Sequence, residues 1–177
     1  DVIQGFDPID GQMIWKVFSQ GEGVSPSFAV GDGLMFTSSG FEKTTLRTVR
    51  LGGSGDVTAT HIAWENRKGV PTESSLLYIS PYLYGVTSGG IVTCYQGKSG
   101  EIVWQERIGG KHSSSPVYAD NKIYFLADDG SSTILRPGAR FDVLAKNKLD
   151  GRFQASMAVS NGRLFLRSDQ ELICVGE

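Results

Sequence analysis

The stretch "CYQGKSGEIVW" (residues 94–104) has a counterpart in "FDPIDGQMIW" (residues 6–15). Each reads as a strand, a tight turn and a second strand that carries a tryptophan. Gly11 stands four residues before Trp15, and Gly100 four residues before Trp104. Glycine at that point permits the left-handed backbone that a tight hairpin turn demands. The tryptophans then occupy equivalent places on the second strand, where a large flat ring can cover the gap to a neighbouring unit.

Tryptophan spacing extends the pair into a repeat. Trp64 and Trp104 are 40 residues apart, and 40 further on is Leu144, in "FDVLAKNKL". Trp15 and Trp64 are 49 apart, the same unit with an insertion in "RLGGSGDVTATH". Each unit contains a small-residue entry with a short apolar run ("SPSFAV", "SSLLYIS", "SSPVYA", "ASMAVS"). An aliphatic-aromatic run follows ("GLMFTSS", "YLYGVTS", "KIYFLAD", "RLFLRS"), and then a third run ("LRTVRL", "IVTCYQ", "STILRP", "ELICV"). The fourth run carries the tryptophan or its substitute. Asp10-Gly11, Asp32-Gly33, Asp129-Gly130 and Asn161-Gly162 mark turns. Four strands per unit of about 40 residues is the pattern of a β-propeller blade. The expected fold is all-β, a propeller of four-stranded antiparallel blades, about four of them, forming part of a ring. The repeats fall at approximately 1–18 (partial), 25–66, 74–108, 114–149 and 155–177 (partial). The count is about 17 strands, a little over four blades. The faces at both ends carry the apolar pattern that internal blades bury. Self-association through these open ends, as in a two-fold dimer, is therefore expected.

"GFDPIDGQMIW" and "TCYQGKSGEIVWQERI" resemble the repeat of the pyrroloquinoline-quinone-type (PQQ-like) β-propellers, with the pattern A-x-D-x-x-T-G-x-x-x-W. Gln96 stands in place of the Asp and Ser99 in place of the Thr. The resemblance implies that Gly11, Trp15, Trp64, Gly100 and Trp104 form structural tryptophan-docking motifs. It also implies a ring of about eight blades, of which this chain is the C-terminal half, with a closed four-bladed ring as the alternative. The superfamily contains dehydrogenases and assembly scaffolds, including the outer-membrane assembly propeller lipoprotein group. An extracytoplasmic or periplasmic bacterial location is implied on the same ground.

Composition narrows the chemistry. Of the 177 residues 40% are apolar and 23 are glycine, which suits a turn-rich globular β-protein. A net charge of −2 gives no basic excess for nucleic acid. No apolar run reaches the roughly 18 residues of a membrane span. The sequence begins at Asp1, so targeting is unreadable. Cys94 and Cys174 lie two periods apart, at the same strand position of blades two steps apart, and both are expected as reduced, buried thiols. PQQ dehydrogenases, by the resemblance, stack the quinone on a disulfide of adjacent cysteines, and no such pair occurs here. No cofactor is expected; PQQ and calcium enter only if the chain is part of a quinoprotein dehydrogenase.

Other candidate sites fare no better. "GKHSSSP" has no G-x-S-x-G elbow. "YQGKSGE" has Val92 where a phosphate loop needs glycine. Asp128 and Asp129 lack the alternating ligands of a calcium loop. His61 reads as part of an outer strand and His112 as a solvated loop residue.

The connections from fourth to first strand and from second to third emerge on one face of a propeller. Here they read "FSQGEGVS", "ENRKGVPTE", "IGGKHSSS", "LDGRFQ", "SSGFEKT", "ADDGSS" and "RSDQ". They are longer and more charged than the turns of the other face. Arg67, Lys68, Lys111, His112 and Arg152 are the candidate binding-face residues. A rigid scaffold presenting such loops suits a protein partner. The expected function is a non-catalytic interaction or scaffolding platform. The alternative is a dehydrogenase segment whose cofactor residues lie outside these residues.

Overall fold

The computed structural model describes residues 2–18, 25–39 and 43–176. Residues 19–24 of the loop "FSQGEGVS" and residues 40–42 of "SSGFEKT" lie outside them.

The described chain forms five sheets in sequence order. The first holds β1 (Val2–Phe6) and β2 (Met13–Phe18). Next come β3 (Ala29–Gly31), β4 (Leu34–Ser39), β5 (Thr45–Arg50) and, after an insertion, β7 (Ile62–Asn66). The third sheet is β8 (Leu77–Ile79), β9 (Tyr82–Val86), β10 (Ile91–Gln96) and β11 (Ile102–Arg107). The fourth is β12 (Val117–Ala119), β13 (Lys122–Leu126), β14 (Ser131–Arg136) and β15 (Asp142–Lys148). The last holds β16 (Ala158–Ser160), β17 (Arg163–Arg167) and β18 (Leu172–Val175). Within every four-stranded sheet consecutive strands pair antiparallel. The first strands are only three residues long, shorter than the sequence runs suggest.

The hydrophobic cores lie between sheets. Val17, Met35, Val49 and Val57 fill the first gap, and Phe36, Leu46, Leu83 and Tyr95 the second. Tyr84, Cys94, Ile123 and Leu135 fill the third, and Leu126, Phe153, Met157 and Leu166 the fourth. Burying both faces of the middle strands explains the nearly continuous apolar run of β9 and the apolar first half of β4.

Every hairpin between third and fourth strands contains a one-residue bulge, which leaves Ile14, Ala63, Val103 and Leu144 unpaired. The bulge sets the tryptophan register. Trp15 faces Gly5, Trp64 faces Thr48, Trp104 faces Cys94, and Ala145 faces Ile134. The tryptophan place of the fourth sheet therefore belongs to Ala145, not to Leu144. Counting 40 residues misses by one because the β14–β15 connection is one residue longer: Leu135 pairs with Val143, whereas Tyr95 pairs with Ile102.

The insertion between β5 and β7 has a structural use. Gly55–Asp56 form β6, a short strand parallel to β2 of the preceding sheet, with Gly55 opposite Trp15. Val57 donates its N–H to the Lys16 carbonyl at 3.0 Å, and Phe18 donates to the Thr58 hydroxyl at 3.0 Å. A single helical turn, α1 (Thr58–His61), follows. His61 is its last residue and not part of an outer strand, and its Nδ1 lies 2.8 Å from the Thr60 hydroxyl.

Neither cysteine is in a disulfide, but they differ in environment. Cys94 is buried beside Tyr84, and burial pushes its thiol up to about 12. Cys174 has the matching place opposite Phe165 yet is exposed, because no further sheet covers that face among the described residues. The expectation of two buried thiols thus fails for Cys174.

Candidate interaction face and the joints that support it

Successive sheets are joined at two ends. At the outer end, the tryptophan of one sheet meets the hairpin turn of the next. The Trp64 indole donates to the Gly97 carbonyl at 2.9 Å, and the Trp104 indole donates to the Gly138 carbonyl at 3.1 Å. Gly100 has φ +75° and lies flat under Trp64: a Cβ built there would stand 2.5 Å from the ring. Gly11 has the same backbone, φ +74°, but open space around it. Trp15 lies instead across Gly5 of its own hairpin. Trp104 sits between Tyr84 and Phe141, with ring centroids 6.0 and 5.3 Å away. All three indoles are half-buried.

At the inner end, serines form a relay. The Ser27 N–H donates to Ser75 Oγ at 3.0 Å, the Ser75 N–H to Ser115 Oγ at 2.9 Å, and the Ser115 N–H to Ser156 Oγ at 2.9 Å. One hydrogen bond per joint ties each first-strand entry to the next. These serines were visible in the sequence as the recurrent small-polar entry, but their bonding was not.

The loop face is braced by carboxylates on the turns between second and third strands. Asp128 accepts from the Ser113 N–H and hydroxyl at 2.9 and 3.0 Å and pairs with Lys111 Nζ at 3.6 Å. Asp169 accepts from the Arg152 N–H at 3.1 Å. Backbone bonds repeat the arrangement, Asp128 N–H to Lys111 O at 2.7 Å and Asp169 N–H to Arg152 O at 2.9 Å. Lys111 and Arg152 thus occupy matching places on adjacent loops, and both are exposed. Arg67 and Lys68 are exposed on the preceding loop, which is anchored where the Tyr95 hydroxyl donates to the Lys68 carbonyl at 2.7 Å. Among the described residues, no hydrogen bond or ion pair links these four cations to one another. They form a rigid display of separated charges. Asp128, which the sequence offers only as half of a rejected calcium pair, and Asp169, which it does not mark, are the supports of these loops; their matching places behind Lys111 and Arg152 are the available signal.

His112 does not belong to this display. It is 2% exposed, not solvated. Its Nε2–H points at the Gly109 carbonyl at 2.9 Å, and its Nδ1 has no partner. The loop is tucked in: a Cβ at Gly110 would stand 2.7 Å from that of Ala127. Burial holds the imidazole below its ordinary value, against the weaker opposing pull of the Gly109 and Leu126 carbonyls and of Asp128 and Asp129. In the unfolded chain the same ring titrates near about 6.5. Between that value and the lower folded one, the unfolded state holds more protons, so stability falls as pH falls. Urea melts at pH 7 and pH 5 should show the native chain losing more stability than His112→Gln. Equal losses would mean that His112 does not titrate on unfolding.

An open cleft of about 870 Å³ lies between the fourth and fifth sheets, lined by Tyr124, Ile134, Leu149, Met157, Leu164 and Val175 among others. The matching space one joint earlier is filled by Trp104 and Phe141. Among the described residues no three His, Cys, Asp or Glu side chains cluster as metal ligands. No helix is long and apolar enough to cross a membrane.

Four-stranded sheets packed face to face, with Trp64 and Trp104 docked on the hairpin of the following sheet, define PQQ-like β-propeller blades. The family model described as "Outer membrane protein assembly factor BamB" matches residues 1–137. The chain belongs to that family. Its structure is similar to the crystal structure of BamB from Moraxella catarrhalis, with a TM-score of 0.76 at 14% identity. That match covers 99% of this chain and 52% of that one, so the chain spans about half the length of this relative. The computationally designed Ika4 protein matches at TM-score 0.74 and 9% identity, over 94% of this chain and 98% of that one. The designed Ika8 protein matches at TM-score 0.76 and 9% identity, over 97% and 51%. These likenesses show the fold. No curated protein matches the chain significantly.

Proposed function

We propose that this propeller arc is a non-catalytic platform that holds a protein partner on its loop face, outside the cytoplasm, in outer-membrane protein assembly. The observation that carries the reading is the bracing of Lys111 and Arg152 by Asp128 and Asp169. Each loop is fixed by its own blade, so a partner meets preformed side chains and little ordering entropy is lost on binding. The charges are separated and mixed in sign, which favours a polar protein surface over a polyanion. Membership of a family described by outer-membrane protein assembly supports this setting.

The test has two arms. In cells lacking the protein, the amount of β-barrel protein in the outer membrane should fall. Restoring it with Lys111→Ala and Arg152→Ala together should leave the defect while the melting temperature of the purified variant stays unchanged, since an exposed ion pair contributes little to stability. Full rescue by that variant would remove the loop face from the function. In the second arm, the longest native form is titrated with PQQ and calcium. Tight binding with dye-linked oxidation of an alcohol would replace the platform with a dehydrogenase.

A further inference from the structure

We infer that His112 is an acid-released latch: when its buried ring takes a proton, residues 109–113 leave their seat between the third and fourth sheets and carry Lys111 away from Asp128. The seat is built from both sides. The His112 N–H donates to the Ser88 carbonyl at 3.1 Å, on the β9–β10 turn of the third sheet. On the β13–β14 turn of the fourth sheet, the Asp128 N–H donates to the Lys111 carbonyl at 2.7 Å, and the Asp128 carboxylate takes the Ser113 N–H and hydroxyl. Between these turns the imidazole is closed off from water, with Nε2 at the Gly109 carbonyl and Nδ1 without a partner. A neutral ring fits this seat, because its one proton goes to Gly109 and Nδ1 keeps a bare lone pair. A second proton would bury a charged N–H where the Leu126 carbonyl, which also pulls on the ring, already takes the Ser114 hydroxyl at 2.8 Å.

The adjoining joint shows that the seat does not require an imidazole. Phe153 follows Arg152 as His112 follows Lys111, and its N–H donates to the Asp128 carbonyl at 2.8 Å as that of His112 does to Ser88. Phe153 is fully buried there. One joint is closed by a ring that never titrates, the other by one that does. The hinge lies just before Lys111: Gly109 and Gly110 both have left-handed backbone, φ +84° and +73°, and the space around Gly109 is open. The charges around the ring do not remove the penalty of a buried cation. Asp128 and Asp129 face it from the fourth sheet, but Asp128 is committed to Lys111 and Ser113, and Asp129 to Lys148 at 2.7 Å. The β9–β10 turn brings no titratable side chain of its own. Glu73 lies behind it on the Ser88 hydroxyl at 3.3 Å, and Arg107 is turned to the Gly89 carbonyl at 2.9 Å. A ring that stays neutral when seated and titrates at about 6.5 when released opens about 25-fold more often at pH 5 than at pH 7.

The latch is independent of what the loop face binds; only its consequence, loss of the fixed Lys111, rests on the platform reading, and the test reads the latch alone. Hydrogen exchange of the longest native form is followed by NMR at pH 7 and pH 5, and each rate is divided by the intrinsic amide rate at that pH. Protection of the Asp128 and Ser113 amides should fall about 25-fold from pH 7 to pH 5. The Asp169 amide, which makes the matching bond to the Arg152 carbonyl beside Phe153, should keep its protection. The fall should vanish in His112→Phe, which copies the neighbouring joint, and in His112→Gln. Unchanged protection of Asp128 and Ser113 in the native chain, a fall that persists in both variants, or an equal fall at Asp169 would each overturn the proposal.

Discussion

Trp104→Ala should destabilise the chain by about 3 kcal/mol, the low end for removal of a large aromatic from a core, because the ring is half-exposed. The substitution removes three things at once. The indole N–H bond to the Gly138 carbonyl is lost, together with the edge contact to Phe141 and the contact to Tyr84. It also leaves Gly138 with one fewer partner at a joint where its own N–H is held by the Tyr84 hydroxyl at 2.8 Å. Trp104→Phe should recover most of the loss, since the apolar ring remains and only the hydrogen bond, worth about 1 kcal/mol, is gone. A urea melt showing less than about 1 kcal/mol for the alanine variant would mean the ring does not hold the joint.

Gly90→Ala should cost a similar amount, about 3 kcal/mol, for a different reason. Gly90 has φ +73°, and a Cβ there would stand 2.3 Å from the Gly109 carbonyl oxygen. Left-handed backbone costs a non-glycine residue about 1–2 kcal/mol, and forcing extra volume into a packed site adds about 1–3 kcal/mol. Relief by movement is blocked, because the Gly90 carbonyl accepts the Ile108 N–H at 2.9 Å and pins the end of the fourth strand to this turn. Gly130 repeats the arrangement, with a Cβ 2.1 Å from the Leu149 carbonyl oxygen and the Leu149 N–H bonded to the Gly130 carbonyl at 3.0 Å. Thermal unfolding of either alanine variant at an unchanged midpoint would contradict this account of the turn.

The hairpins were readable because a rare residue type, tryptophan, recurs at a fixed spacing from a turn glycine, Gly11 with Trp15 and Gly100 with Trp104. Pattern alone also placed the second to fourth strands within a residue or two, since runs of aliphatic and aromatic residues alternate with turn residues at a regular period. Ala145 escaped, because a turn longer by one residue breaks a count of 40 and alanine itself carries no signal. β6 escaped as well: two residues paired parallel to a distant strand have no periodicity to detect. His112 was misplaced because "IGGKHSSS" has the composition of a solvent loop. Whether such a loop folds inward depends on the close approach of Gly110 to Ala127, which no local pattern records. Cys174 shares its strand position with Cys94, and its exposure is decided by the neighbour each position has. Of the interaction face, the cations could be named from sequence, whereas the carboxylates that fix their loops come from the next connection along the chain and needed the fold.

The central claim is that the second sheet is locked to the third, and the third to the fourth, by a tryptophan whose indole hydrogen-bonds a hairpin carbonyl. Hydrogen exchange at the indole N–H groups, followed by NMR, tests it most directly. Trp64 and Trp104 should exchange far more slowly than a free indole, and Trp104→Phe should accelerate exchange of backbone amides in β14 and β15 across the joint. Indole protons of Trp64 and Trp104 that exchange as fast as free indole in the folded chain would contradict it.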